Sequence, residues 1–178
     1  MFALTIFFAS PVRAESGKLE LGVSPHYAYL LLDNRHEPDG WGVGLQLRYG
    51  LSDTFGLVVA GLWTMHSIEG AADKVGGDFH VMTADFGLVY TLDLVRFLPR
   101  IEAGVGALHR RFADAYSTDL GVRLGLSVDY QISPRWMVGL SISYHGFVTD
   151  LANIPMFVEM GPRITWTWSR QASAPSPG

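Results

Sequence analysis

The sequence predicts an all-β fold, an eight-stranded antiparallel up-and-down transmembrane β-barrel, and three observations support this. Apolar and polar residues alternate with a period of two along most of the 178 residues, which is the period of a strand with two unlike faces. The chain is 48% hydrophobic and yet contains no run of about 18 apolar residues, the length that a transmembrane helix requires. Short turns alternate with longer polar loops, as is typical of membrane barrels.

The alternation defines the strands one by one. From Trp41 to Tyr49 every second residue is apolar, and residues 120–130 and 136–144 repeat this pattern. Most segments reach the roughly 9–11 residues that a tilted strand needs to cross a bilayer. Glycine recurs inside them and argues against helices, because it costs about 1 kcal/mol in a helix interior. Looser alternation predicts five more strands, at about 18–32, 54–67, 79–92, 100–111 and 155–168.

The connections between these strands fall into two groups. Those at about 50–53, 93–99 and 132–135 are short, and short turns face the periplasm in barrels of this kind. Longer polar loops are therefore expected on the outer side, at 33–40, 67–78, 113–119 and 147–154.

Aromatic residues mark the two ends of the apolar face. Tyr and Trp favour the membrane–water interface, and their spacing here fits two girdles separated by roughly 25 Å. A soluble lipocalin-like barrel would instead turn its apolar face inward, but the polar face of this chain is too poor in charge for a solvated exterior. We expect Leu45, Leu124 and Ile142 to face lipid together with the girdle, which comprises Trp41, Tyr49, Phe55, Trp63, Trp136, Tyr144, Trp166 and Trp168.

The two ends of the chain differ from the region between them. Residues 1–14 are apolar and Phe-rich up to Ala9, and Val12 and Ala14 suit a signal-peptidase site, so a signal peptide is predicted there. The alternative is a buried first strand. The barrel is expected over residues 15–169, and residues 170–178, rich in Ala, Ser and Pro, are expected to form a disordered tail.

The eight strands, the girdles and the turns Tyr49–Asp53 and Tyr130–Trp136 resemble the small OmpA/OmpX-type barrels of Gram-negative bacteria. The resemblance covers nearly the whole chain and implies a porin-like outer-membrane protein surrounded by lipid and lipopolysaccharide. It also implies that the barrel assembly machinery reads an aromatic residue of the last strand, here Trp166 or Trp168. The polar tail after Trp168 departs from the family pattern.

The same alternation assigns charged residues to the barrel interior. The lumen of an eight-stranded barrel is just wide enough for side chains, and unpaired charges there are costly, so ion pairs are expected. Closure brings the first and last strands together, which favours a contact between Glu20 and Arg163. The predicted network comprises Glu20, Arg48, Asp85, Glu102, Arg123, Asp129, Glu159 and Arg163.

Three further groups carry weaker signals. His26, His66 and His145 are expected to face inward and are weak candidates for metal ligands. Arg110 and Arg111 lie near the outer rim and suit the phosphates of lipopolysaccharide. Ser143, His145 and Glu159 contain the groups of a nucleophilic triad, but outer-membrane lipid A deacylases would need such groups on the lipid face, whereas these face the lumen. No enzyme activity, catalytic residue or cofactor is therefore predicted.

Composition excludes some functions. The chain has no cysteine for a disulfide, and its formal net charge of −4 is too mild to suggest nucleic-acid binding. The sequence favours a monomeric outer-membrane protein with a structural or surface-interaction role and a lumen plugged by ion pairs. The alternatives are a narrow channel for ions or small solutes and, third, a lipid-modifying enzyme.

Overall fold

The structure, a computed structural model, describes residues 16–32, 35–36, 39–67, 78–112, 115–149 and 156–168. The signal peptide and the C-terminal tail predicted from the sequence lie outside these residues. Within them the backbone forms strands and turns. The strands are β1 (Leu19–Leu32), β2 (Arg35–His36), β3 (Gly40–Gly50), β4 (Phe55–Ser67), β5 (Asp78–Thr91), β6 (Phe97–Phe112), β7 (Ala115–Ser133), β8 (Trp136–Phe147) and β9 (Met156–Trp168).

Over the described part of the chain, we find no helix of sufficient length and hydrophobicity to span a membrane.

The eight long strands form a closed antiparallel barrel. From β3 to β9 each strand pairs with the next, β1 pairs with β3, and β1 also pairs with β9 to close the sheet, while the two-residue β2 only extends β1. The large apolar side chains stand on the outside, with Leu45 and Leu124 each 57% exposed. The predicted fold is confirmed, and the apolar exterior excludes a lipocalin-like barrel.

The hairpin of β6 and β7 is longer than the sequence predicted. The polar segment 113–119 was expected to be a loop, but β7 begins at Ala115 and pairs with β6 up to Phe112. Polarity does not distinguish a loop from a strand in this segment, because a hairpin that extends above the membrane can carry polar side chains on both faces. At the other end β6 begins at Phe97, so Pro99 lies in the strand and not in the turn.

The seam between β1 and β9 contains a break. Pairing runs over Leu19–Val23, stops, and resumes over Tyr27–Leu31. Pro25 and Pro162 lie in this interval, and neither has an N–H group to donate to the ladder. The strands approach closely here, since a Cβ atom on Gly161 would lie 1.9 Å from the carbonyl oxygen of Pro25.

Replacing Gly161 by alanine should therefore lower the free energy of unfolding by about 1–3 kcal/mol, because the added methyl group displaces backbone. The measurement is urea unfolding in lipid vesicles, followed by tryptophan fluorescence. Gly61→Ala is the matched control, since its Cβ would meet only the Thr83 carbonyl oxygen at 3.5 Å. Equal unfolding midpoints for the two variants would show that the seam tolerates the methyl group.

Candidate functional site in the barrel lumen

The half of the lumen nearer the short turns, here called the lower half, contains an ionic network. The network is centred on Asp129, a fully buried residue of β7. Arg163 of β9 donates to both carboxylate oxygens from one nitrogen, at 2.7 and 2.8 Å. Arg100 of β6 donates to the same carboxylate, and Arg48 Nη1 lies 3.8 Å from it. One carboxylate thus faces three buried guanidinium groups.

Two glutamates complete the network. Glu102 of β6 accepts hydrogen bonds from Arg48 at 2.5 Å and from Arg123 at 2.8 Å. Glu20 of β1 accepts from Arg100 at 2.9 Å and lies 3.3 Å from the ammonium group of Lys18. Each carboxylate of this network lies next to arginine or lysine groups, and each cation lies next to a carboxylate, so every buried charge of the network has a neighbour of opposite sign.

The structure pairs Glu20 differently from the sequence expectation. Across the seam Glu20 lies opposite Thr167, and Arg163 lies four residues further along β9, where it binds Asp129 instead. Glu20 instead binds Arg100, which the sequence analysis did not include. The parity of Arg100 with Glu102 was the available signal, because both residues fall in the strand predicted at 100–111.

Above the network lies a polar chamber formed by His26, Asp85, His145 and Glu159. The two ring nitrogens of His145 each lie 3.6 Å from a carboxylate, Nδ1 from Asp85 and Nε2 from Glu159. His26 Nδ1 lies 3.8 Å from Glu159, while its Nε2 is 2.5 Å from Ser24 Oγ. The separations from the carboxylates exceed direct hydrogen-bond length. A cavity of about 20 Å³ adjoins Asp85 and Glu159, roughly the space for one water molecule.

The three histidines considered as metal ligands do not form one site. His26 and His145 share Glu159, but His66 lies higher, where it contacts Thr64 at 2.9 Å and stacks on Phe79 at 4.7 Å. Among the described residues no group of three or more histidine and acidic side chains has the geometry to hold a metal ion.

The arrangement around Ser143 does not resemble a nucleophilic triad. Its hydroxyl oxygen accepts a hydrogen bond from Arg123 at 2.9 Å. His145 meanwhile lies between two carboxylates. A hydroxyl held by a guanidinium group lacks the adjacent base that would activate it.

The upper lumen contains a cluster of buried apolar side chains, here called the apolar cap, which the sequence analysis missed. Phe157 is fully buried, and its ring lies 5.4 Å from that of His145 in the chamber below. The parity that identified the inward charges also points these side chains inward, but the inward face was assumed to be polar. The cap is the buried cluster of Ala28, Leu62, Phe79, Val81, Leu108, Phe147 and Phe157.

The aromatic residues considered as a girdle lie on the outer surface. At the turn end Trp136 and Trp166 lie 5.3 Å apart, and Trp168 stacks on Trp166 at 5.2 Å. Phe55 lies 5.1 Å from Tyr90 at the same end, and Trp41 lies 5.3 Å from Tyr27 at the other. Tyr49, Trp63 and Tyr144 share the outward parity of their strands.

The two arginines near the outer rim point in opposite directions. Arg110 turns inward and donates to Asp119 at 2.6 Å, so the geometry does not support its expected contact with lipopolysaccharide. Arg111 is exposed on the outer surface of β6. Asp119, which the sequence placed in a loop, is a buried partner in the strand.

A closed antiparallel barrel with buried charged side chains inside and an apolar exterior is the architecture of an outer-membrane barrel protein. The family model for the outer membrane protein beta-barrel domain matches residues 1–154. The chain therefore belongs to this family, and its location is the bacterial outer membrane.

Several solved structures share the fold. Neisserial surface protein A is 12% identical, with 84% of this chain and 98% of that chain covered and a TM-score of 0.68. OprG from Pseudomonas aeruginosa is 14% identical, with 88% of this chain and 98% of that chain covered and a TM-score of 0.61. Ail, the attachment invasion locus protein of Yersinia pestis, was solved in complex with the heparin analogue sucrose octasulfate. It is 14% identical, with 86% of this chain and 100% of that chain covered and a TM-score of 0.59. Likeness at these identities concerns the fold alone. No curated protein sequence matches the chain.

Proposed function

We propose that this protein is a non-conducting outer-membrane barrel with a structural or surface-interaction role. The observation that carries the proposal is a lumen filled by two barriers in series. The lower barrier is the ionic network around Asp129, and the upper one is the apolar cap around Phe157. An ion would have to break buried ion pairs and then cross an apolar layer, both of which are costly.

Two small, separate cavities within the described part of the barrel support a closed lumen. The vestibule at the turn end, lined by Lys18, Glu20 and Arg100, has about 50 Å³ of free space. The chamber cavity beside Asp85 has about 20 Å³ and adjoins the ionic network at Arg163. Arg163 lines this cavity and binds Asp129, which also binds Arg100 of the vestibule, so a buried ion pair joins the walls of the two cavities.

We further propose that the barrel inserts as a monomer with the help of the barrel assembly machinery. Trp168, the last residue of β9, is the aromatic residue that this machinery would read. Lipid would surround the apolar exterior, because the exposed side chains of the strands are almost all apolar.

Recording from planar bilayers tests the closed lumen. The purified barrel should give no unitary currents, because both barriers are intact. Quenching of the tryptophan fluorescence by brominated lipids shows that the protein has inserted, because tryptophans such as Trp41 and Trp136 lie on the outer surface. Stable ohmic steps from inserted protein would contradict the proposal and favour the narrow channel, whereas a lipid A mass shift on expression would favour the enzyme.

A further inference from the structure

The outer surface of the barrel is almost free of charge, and its exceptions lie together. Among the outward-facing side chains that the structure describes on the eight long strands, the ionisable groups other than tyrosine are His80, His109 and Arg111. His80 of β5 is the direct cross-strand partner of Arg111 on β6, and His109 lies two residues from Arg111 on the same face. Directly opposite outward side chains are close enough to act on one ligand.

This cluster lies at the outer boundary of the apolar band. Tyr90 and Ile101 are cross-strand partners near the turn end, and His80 and Arg111 each lie ten positions further along their strands. Ten residues span about 33 Å along a strand, which becomes about 25 Å along the barrel axis at a tilt of about 40°. This equals the height of the apolar band, so the cluster faces the headgroups of the outer leaflet.

Neighbouring side chains position the two histidines of the cluster, and those that the structure describes leave the charge of Arg111 without a partner. Trp63 stacks on His80 with ring centroids 5.7 Å apart, and Thr118 Oγ1 lies 2.9 Å from His109 Nδ1. Among the residues whose side chains the structure describes, Arg111 has no carboxylate within ion-pair distance, and its outward neighbours there are uncharged or imidazoles. An unpaired guanidinium group at a membrane surface attracts an anion.

We propose that His80, His109 and Arg111 bind a phosphate group on the lipid anchor of lipopolysaccharide. Guanidinium groups bind phosphate oxygens in a bidentate fashion, and imidazole N–H groups add donors beside them. Met82, which pairs with His109 and is 52% exposed, continues the apolar surface below and suits an acyl chain of the same lipid. The inference rests on the outer-membrane location and is independent of whether the lumen conducts.

Titration with lipid A tests this site. The full-length barrel in detergent micelles is titrated with bisphosphorylated lipid A, and the bound fraction is read by native mass spectrometry. Arg111→Gln should weaken binding at least about tenfold, the loss of one charge-assisted hydrogen bond. His80→Gln should weaken it less, because it removes one donor and leaves the guanidinium group.

Two controls make the result specific. Arg135→Gln removes an equal charge from an exposed residue at the turn end and should leave binding unchanged. Fully dephosphorylated lipid A should bind the parent no more tightly than bisphosphorylated lipid A binds Arg111→Gln. Circular dichroism shows that each variant is folded. If Arg111→Gln and Arg135→Gln bind alike, or if dephosphorylation has no effect, the cluster is not a phosphate site.

Discussion

Replacing Asp129 by asparagine should lower the free energy of unfolding of the barrel by about 3–5 kcal/mol, the range for removing one partner of a buried ion pair. Asp129 is fully buried and binds Arg100 and Arg163, and both arginines would keep their charge in the variant. The asparagine side chain has similar volume and still accepts a hydrogen bond, so the change isolates the charge. Urea unfolding in lipid vesicles gives the difference.

A control variant and a double variant locate the effect. Asp53→Asn removes the same charge from an exposed turn and should change the stability little. In a double-mutant cycle with Arg163→Met, the double variant should lose less unfolding free energy than the sum of the two single variants. The reason is that Arg163→Met removes a charge that Asp129→Asn leaves unpaired. Additive losses, or an Asp129→Asn midpoint equal to that of the parent, would refute a coupled network.

The period-two pattern was enough to predict the fold, because a strand in lipid exposes one face and encloses the other. Trp41 and Leu45 share a parity and stand outside, whereas Gln46 and Arg48 lie inside. A one-residue error would have reversed every such assignment, so the faces of β3, β7 and β8, where alternation is strict, were well determined.

Partner choice inside the lumen was not predictable in the same way. Arg48 binds Glu102, 54 residues away, and Arg163 binds Gln46, 117 residues away, across strands that are not neighbours. Such contacts depend on the stagger of the strands around the barrel, which parity does not contain. Parity alone placed Glu20 and Arg163 together at closure, whereas the register places Thr167 opposite Glu20.

The apolar cap shows a second limit of sequence reasoning. A membrane barrel is expected to be apolar outside and polar inside, so inward apolar residues such as Leu62 and Phe157 do not stand out. In β4 the inward positions Val58 and Leu62 are apolar like the outward ones. This looser alternation was the visible sign of the cap at Leu62 and of the buried Val58 below it. Loss of alternation in β4 therefore indicated inward apolar packing in addition to the inward charges.

Replacing Phe157 by alanine should lower the free energy of unfolding by about 3–5 kcal/mol, because it removes a fully buried ring and leaves a cavity within the cap. Phe157→Ala should still give no unitary currents in planar bilayers, since the ionic network below the cap is unchanged. Phe86→Ala is the matched control, because Phe86 faces outward from β5 with 54% of its surface exposed and its loss leaves no internal cavity. Urea unfolding of both variants measures the difference. Equal losses for the two phenylalanines would mean that the packing of Phe157 in the cap contributes no more to the stability than contact with lipid does.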